Sequence, residues 1–183
     1  MIVSDFKNYG NLFSKYVKKD IFNLLALGCG VIRGEEKLNA KHIFGVEWCD
    51  ERLDISKEKA IVIKYDIKEV PKIIPDKSFD AVTMFDVIEH ITKEEGLKLL
   101  KELEKKIKYQ ILLFVPIQKK IPDINYLIDL QEKRKEENLS LGHHLSIWTP
   151  EEFEALGFTV EYSPEYHKDK NMGAVFCVKN LIN

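Results

Sequence analysis

An apolar run, Leu24–Leu27, ends in the glycine-spaced turn Gly28–Cys29–Gly30, and a second apolar run, Ile43–Val46, ends in the carboxylate Glu47. Few arrangements use both features at once. Gly28 and Gly30 let the chain turn sharply after a buried strand and bring backbone N–H groups close to a ligand. Glu47, about 20 residues beyond the turn, stands at the tip of the next strand, where a carboxylate can accept hydrogen bonds from both hydroxyls of a ribose. Together they describe a nucleoside-binding edge on a parallel sheet.

The rest of the chain repeats the alternation such a sheet needs. Residues 5–16 carry Phe6, Tyr9, Leu12, Phe13 and Tyr16 near helical spacing, which predicts a leading helix within residues 1–19. Strands are predicted at 21–27, 42–46, 61–65, 81–85 and 110–115, the last stopped by Pro116. Between them lie a short helix at 34–38, a helix at 50–59 burying Leu53 and Ile55, and a loop broken by Pro71 and Pro75. The clearest helix is 92–108, with Thr92 as cap, acids in its first turn, lysines in its last, and Leu97, Leu100, Leu103 and Ile107 as the buried stripe. Strands alternating with helices imply right-handed crossovers and a parallel sheet. The ending differs: Thr149–Pro150 opens a short helix, and residues 159–162 and 174–179 form two strands joined only by a loop, a terminal antiparallel hairpin.

Composition narrows the class. With 183 residues and 45% apolar content the chain forms one domain, residues 1–183. Its longest apolar stretch is too short to span a bilayer, and its start lacks a secretory pattern, so a cytoplasmic location is expected. Three scattered cysteines form neither a disulfide framework nor a paired metal-ligand spacing; Cys29 and Cys177 read as small buried residues. A formal net charge of −2 provides no basic field for nucleic acid.

Five segments in this order resemble the class I S-adenosylmethionine-dependent methyltransferases over roughly residues 20 to 180: Leu27–Gly30, Gly45–Glu47, Tyr65–Ile67, Ser78 through His90, and His144 through Phe158. The resemblance implies a Rossmann-like α/β three-layer sandwich on a mostly parallel seven-stranded sheet, ordered three-two-one-four-five-seven-six with strand seven antiparallel. It implies S-adenosyl-L-methionine as cofactor, held by Gly28, Cys29 and Gly30 at the turn, Glu47 on the ribose, Trp48 on the adenine face, Asp66 and the Ile67 backbone on the adenine edge, and the backbone of Phe85 and Asp86 along the methionine part. Two positions depart from the family. Ala26 stands where it usually has an acid, and Ile32 stands where the third small residue of the turn belongs, with Gly34 displaced downstream.

Methyl transfer from a sulfonium depends mostly on alignment, and a hydroxyl acceptor gains further from a general base, about 10²–10⁴-fold. His90, just after the fourth strand of the sheet, is the candidate base, with Glu89 to orient it, and His144 is a second candidate for base or substrate contact. His143 and His144 are adjacent and lack the i, i+4 spacing of a helical metal pair, so no metal is expected. The insertion 118–141, with an amphipathic helix through Ile124, Leu127, Ile128 and Leu130, is the natural substrate lid. A methyltransferase acting on O or N of a small-molecule or saccharide-like acceptor follows; the competing reading is a non-catalytic cofactor-binding or scaffold protein that regulates a partner.

Overall fold

The computed structural model describes residues 1–18, 20–32, 34–57, 59–118, 124–137, 142–167 and 172–181. Its strands are β1 (Ile2–Val3), β2 (Asn23–Leu27), β3 (His42–Glu47), β4 (Ile61–Lys64), β5 (Phe79–Phe85), β6 (Ile107–Ile117), β7 (Thr159–His167) and β8 (Met172–Asn180). The α-helices are α1 (Phe13–Tyr16), α2 (Asp50–Ser56), α3 (Val70–Ile73), α4 (Lys93–Lys106), α5 (Ile124–Glu136) and α6 (Pro150–Ala155). One sheet runs β1-β7-β8-β6-β5-β2-β3-β4. Pairs β2/β3, β3/β4, β2/β5 and β5/β6 are parallel, while β8 is antiparallel to both neighbours. The expected order is present, with one addition: Ile2–Val3 pairs parallel to β7 and makes an eighth strand.

Alternation along the central strands builds the three layers. Leu25, Leu27, Ile111, Leu113 and Val115 enter one core, which α4 and Trp148 cover; Leu24, Leu112 and Phe114 enter the opposite one with Phe6 and Phe13. Among the described residues no helix is long and apolar enough to cross a membrane.

Several local expectations change on folding. The leading segment is not one helix. Asn8 caps a 3₁₀ turn at Tyr9–Leu12 by accepting from Gly10 N–H at 2.9 Å, and only Phe13–Tyr16 is α-helical. Gly10 weakens continuous helix here, and the aromatic residues pack on the sheet instead, Tyr9 against Phe114 at 4.4 Å between centroids. Strand β6 continues through Pro116, which pairs only with Ala174 on β8 because the β5 pairing ends at Phe114. A residue without an N–H is tolerated where one side of the strand carries no ladder.

The capping box of α4 is complete, Thr92 and Glu95 each satisfying the other's backbone. Its buried face is Gly96, Leu99, Leu100 and Leu103, whereas Leu97 is exposed. Gly96 sets that face: a Cβ there would lie 2.8 Å from Trp148 Cζ2, so only glycine lets the indole sit against the helix. Ile55 is likewise exposed, since the short α2 buries only Leu53 on the sheet side. A single helical turn, α3, replaces the loop around Pro71.

Candidate active site

The chain leaves β2 towards β3 and β4 on one side of the sheet, and β5 towards β6 on the other. Loops after Leu27 and Phe85 therefore diverge and open a crevice at the carboxyl ends of the strands, the position where open α/β sheets bind ligands. A cleft lies there. Gly28, Glu47, Trp48, Asp66, Ile67 and Asp86 line it together with His90. Helix α5 contributes Ile128, Gln131, Glu132 and Lys135 to the same wall. The ends of the insertion, residues 119–123 and 138–141, lie outside the described residues.

The turn after β2 depends on its glycines. Gly28 has φ +60° and Gly30 φ +52°. A Cβ at Gly28 would sit 2.7 Å from Val87 Cγ2, while one at Gly30 would meet nothing within 4 Å. Gly30→Ala is therefore expected to cost about 1–2 kcal/mol of backbone strain alone. Gly28→Ala adds displacement of Val87 from the cleft and should cost more in both unfolding free energy and ligand affinity. Thermal unfolding and a ligand titration of the two variants side by side check that ranking.

Glu47 is buried and organises the turn. Its Oε2 accepts from Gly30 N–H at 2.8 Å, and its Oε1 accepts from Trp48 N–H at 2.8 Å and Cys49 N–H at 3.0 Å. Two donors fill Oε1, and Oε2 retains an acceptor position beside the cleft. Trp48 is half-buried, with an Nε1 that has no hydrogen-bond partner among the described residues. The Oδ1 of Asp66 accepts from Lys68 N–H at 3.0 Å, and Lys135 of α5 approaches its Oδ2 at 3.5 Å, tying the inserted helix to the end of β4. Asp86 adopts φ +55°, which turns the chain directly after β5, and burial pushes its carboxyl up to about 6.

The Cys29 side chain packs with Ala26 and Ile32 in a small core cluster, and the Phe85 ring stacks on Phe13 and tilts against Tyr9, so at both positions the backbone and not the side chain is on the cleft side of the expected contact. Ile32 is fully buried at φ +44°, an apolar plug under the turn. Ala26 is buried between Gly45 and Thr83 on the flanking strands. Thr83 Oγ1 reaches Glu35 Oε1 at 3.4 Å, so a buried acid from the following 3₁₀ turn stands beside the position that lacks one. Burial raises the Glu35 carboxyl above its ordinary value. Nothing in linear spacing marks Glu35, nine positions after Ala26, as its neighbour.

Beyond β5, a polar cluster forms around Glu89. This side chain is 1% exposed, and neither carboxylate oxygen has a hydrogen-bond partner among the described residues. Burial, followed by the charge of Asp86, pushes its carboxyl well above the usual range. His90 Nε2 lies 3.8 Å and His144 Nε2 4.0 Å from Glu89 Oε1. His90 Nδ1 donates to the His143 carbonyl at 2.8 Å, and His144 Nδ1 meets Gln118 Oε1 at 2.9 Å. Burial lowers the affinity of His90 for a second proton. The segment carrying His144 is tethered by Leu145 and Ser146 N–H groups donating to the Glu89 carbonyl at 2.7 and 3.1 Å. Gln131, a buried residue of α5 that sequence reasoning missed, donates to the His90 carbonyl and leaves its own Oε1 unpartnered among the described residues.

Residues 25–114 match the family model described as a methyltransferase domain. No curated protein matches the chain. Among solved structures, the PH0226 protein of Pyrococcus horikoshii OT3 superposes with a TM-score of 0.66 at 22% identity, over 95% of this chain and 88% of that one. A SAM-dependent methyltransferase of Archaeoglobus fulgidus gives 0.62 at 21% identity, over 94% and 92%. Haemonchus contortus phosphoethanolamine N-methyltransferase 2, in complex with phosphomonomethylethanolamine and S-adenosylhomocysteine, gives 0.63 at 15% identity, over 93% of this chain and 51% of that one.

Proposed function

We propose, from the premise that this chain belongs to the class I S-adenosylmethionine-dependent methyltransferases and is an enzyme that uses S-adenosylmethionine, that it methylates an oxygen or nitrogen of a small-molecule or saccharide-like acceptor. The observation that carries this reading is the continuity of the cleft. The residues at the ends of β2, β3 and β4 share one cavity with His90 and with the wall supplied by α5.

The cleft residues fit the nucleoside part of the cofactor. Glu47, held rigid by three backbone donors, keeps an acceptor position on Oε2 for a sugar hydroxyl. Trp48 Nε1, buried and without a partner among the described residues, supplies a donor, and the ring a flat apolar surface. Asp66 and the backbone of Ile67 border the cleft where an adenine edge would be read. Asp86, which lines the cleft at the end of β5, supplies a polar group for the amino-acid part.

When bound, the sulfonium supplies a methyl carbon to which the acceptor lone pair bonds as the carbon–sulfur bond breaks, leaving a neutral thioether. The chain's own residues position the acceptor and take up its proton. His90 borders the cleft with Nδ1–H committed to a carbonyl, so its basic lone pair lies on Nε2. His144 stands beside it, ring centroids 5.0 Å apart. Helix α5 closes the acceptor side through Ile128 and Gln131, which excludes water from a reaction that gains by desolvation.

The test is transfer of methyl-labelled S-adenosylmethionine to a panel of small alcohols, amines and sugars, with the protein and nucleic acid of a cell extract as parallel acceptors. Label on the small acceptors is the expected result. Label found only on macromolecules replaces this acceptor class.

A further inference from the structure

Glu89 poses a physical problem that methyl transfer does not require. A buried carboxyl with no hydrogen-bond partner among the described residues is costly in either form, and one that is to carry its charge there is paired or bound to a metal. The groups nearest its Oε1 are two imidazole nitrogens, His90 Nε2 at 3.8 Å and His144 Nε2 at 4.0 Å. Both rings have Nδ1 on an oxygen, the His143 carbonyl and Gln118 Oε1, which is the tautomer that directs the ring lone pair through Nε2. Such outer hydrogen bonds are characteristic of metal-ligating histidines.

We propose that Glu89, His90 and His144 form a divalent transition-metal site on the acceptor side of the cleft, with Glu89 Oε1 and the two Nε2 atoms as its ligands. The three ligand atoms lie within 4.8 Å of one another. Bonds of about 2.0–2.2 Å bring two ligands of one ion to about 3.0–3.5 Å apart, so on binding each Glu89–histidine separation closes by roughly 0.3–1 Å and the histidine–histidine separation by at most about 1.8 Å. The rings are 20% and 23% exposed, which keeps coordination positions open on the side away from the buried carboxylate. Two imidazoles with one carboxylate favour zinc, iron, cobalt or manganese over magnesium, which takes oxygen ligands and keeps its water.

The adjacent pair His143–His144 carries no helical metal spacing, but spacing along one element is not what assembles this site. The 3₁₀ turn Ile88–His90 supplies two ligands and the loop before α6 the third, joined by the tether from Leu145 and Ser146 to Glu89. Metal binding stands independently of the methyl-transfer reading. The ion's role rests on that reading: its open positions would take an acceptor oxygen and acidify its hydroxyl, whose proton then leaves to water, while His90 Nε2 is the base only in the metal-free chain.

The experiment is titration of the metal-stripped full chain with Co²⁺, followed by the visible absorption of the bound ion and by calorimetry, with Mg²⁺ as the comparison. One saturable equivalent of Co²⁺ is expected, with weaker Mg²⁺ binding. Removing an outer partner of a ligand weakens metal binding by about 10–100-fold. On the same scale Gln118→Ala should weaken Co²⁺ by roughly 10-fold, and Glu89→Gln and His144→Ala by more than roughly 100-fold. His144→Ala lies on a partly exposed loop and keeps the test open if the buried Glu89→Gln variant unfolds. Absence of saturable Co²⁺ binding overturns the site, as does wild-type affinity in a folded Glu89→Gln or His144→Ala variant. S-adenosylhomocysteine binding in chelator is measured on the same samples. Cofactor binding without Co²⁺ binding overturns the metal site and leaves the methyl-donor reading intact; the reverse supports the site and removes that reading.

Discussion

Glu47→Ala is expected to weaken S-adenosylhomocysteine binding by at least about 100-fold and to lower thermal stability at the same time. A hydrogen bond to a charged group contributes about 1.5–3 kcal/mol, and a sugar hydroxyl on Glu47 Oε2 is such a bond. The substitution does more than remove it. Gly30, Trp48 and Cys49 lose their acceptor, so three N–H groups near the cleft are left unsatisfied and the turn loses the shape that admits the ligand. Glu47→Gln is no rescue, because its amide NH₂ faces one of those donors. Calorimetry reports affinity and thermal unfolding reports the structural share. Affinity within a few-fold of wild type, whatever the change in unfolding, would show that the carboxylate organises the turn without touching the ligand.

Trp148→Ala carries the largest expected stability loss. The indole is 1% exposed, stacked on Phe153 at 5.0 Å between centroids, and placed against the bare backbone of Gly96. Its Nε1 donates to Ser146 Oγ at 2.8 Å, and Ser146 Oγ in turn reaches the Ile88 carbonyl at 3.2 Å. Truncating a buried tryptophan to alanine costs about 3–5 kcal/mol. In a chain of this size each kcal/mol lowers the unfolding midpoint by about 2–4 °C, so a fall on the order of 10 °C is expected. The exposed Lys98→Ala on α4 should stay within about 0.5 kcal/mol of wild type. Function should follow packing here, since Ser146 and Leu145 hold the loop of His144 to Glu89. A midpoint shifted by less than a couple of degrees would mean that α6 and Phe153 hold that layer without the indole.

The sheet was legible in the sequence because its strands are continuous apolar runs closed by glycine, proline or acid, and burial on both faces leaves that mark. The edge that lines the cleft was legible for a related reason. Backbone turns and strand-end carboxylates are local features, and Gly28, Glu47, Asp66 and Asp86 reach one cleft once the strand order is known. Where apolar spacing misled, a small residue or a proline decided the outcome. Gly10 divides the leading segment, Gly96 turns α4 so that Leu97 faces solvent, and Pro116 stays in β6 because its strand has one neighbour there.

The amino-acid order alone determined the α/β class, the crevice after the first strand of the parallel core and the acid that lines it. Three features were decided only by tertiary structure. Glu35 comes beside Ala26 through a turn, the Phe85 ring packs among Tyr9 and Phe13, and Glu89 becomes a buried carboxyl facing histidines 1 and 55 residues away in the chain. The physical reason is common to all three. Desolvation and convergence depend on what other segments place around a residue, and no local pattern records the surroundings that a fold assembles from distant parts of the chain.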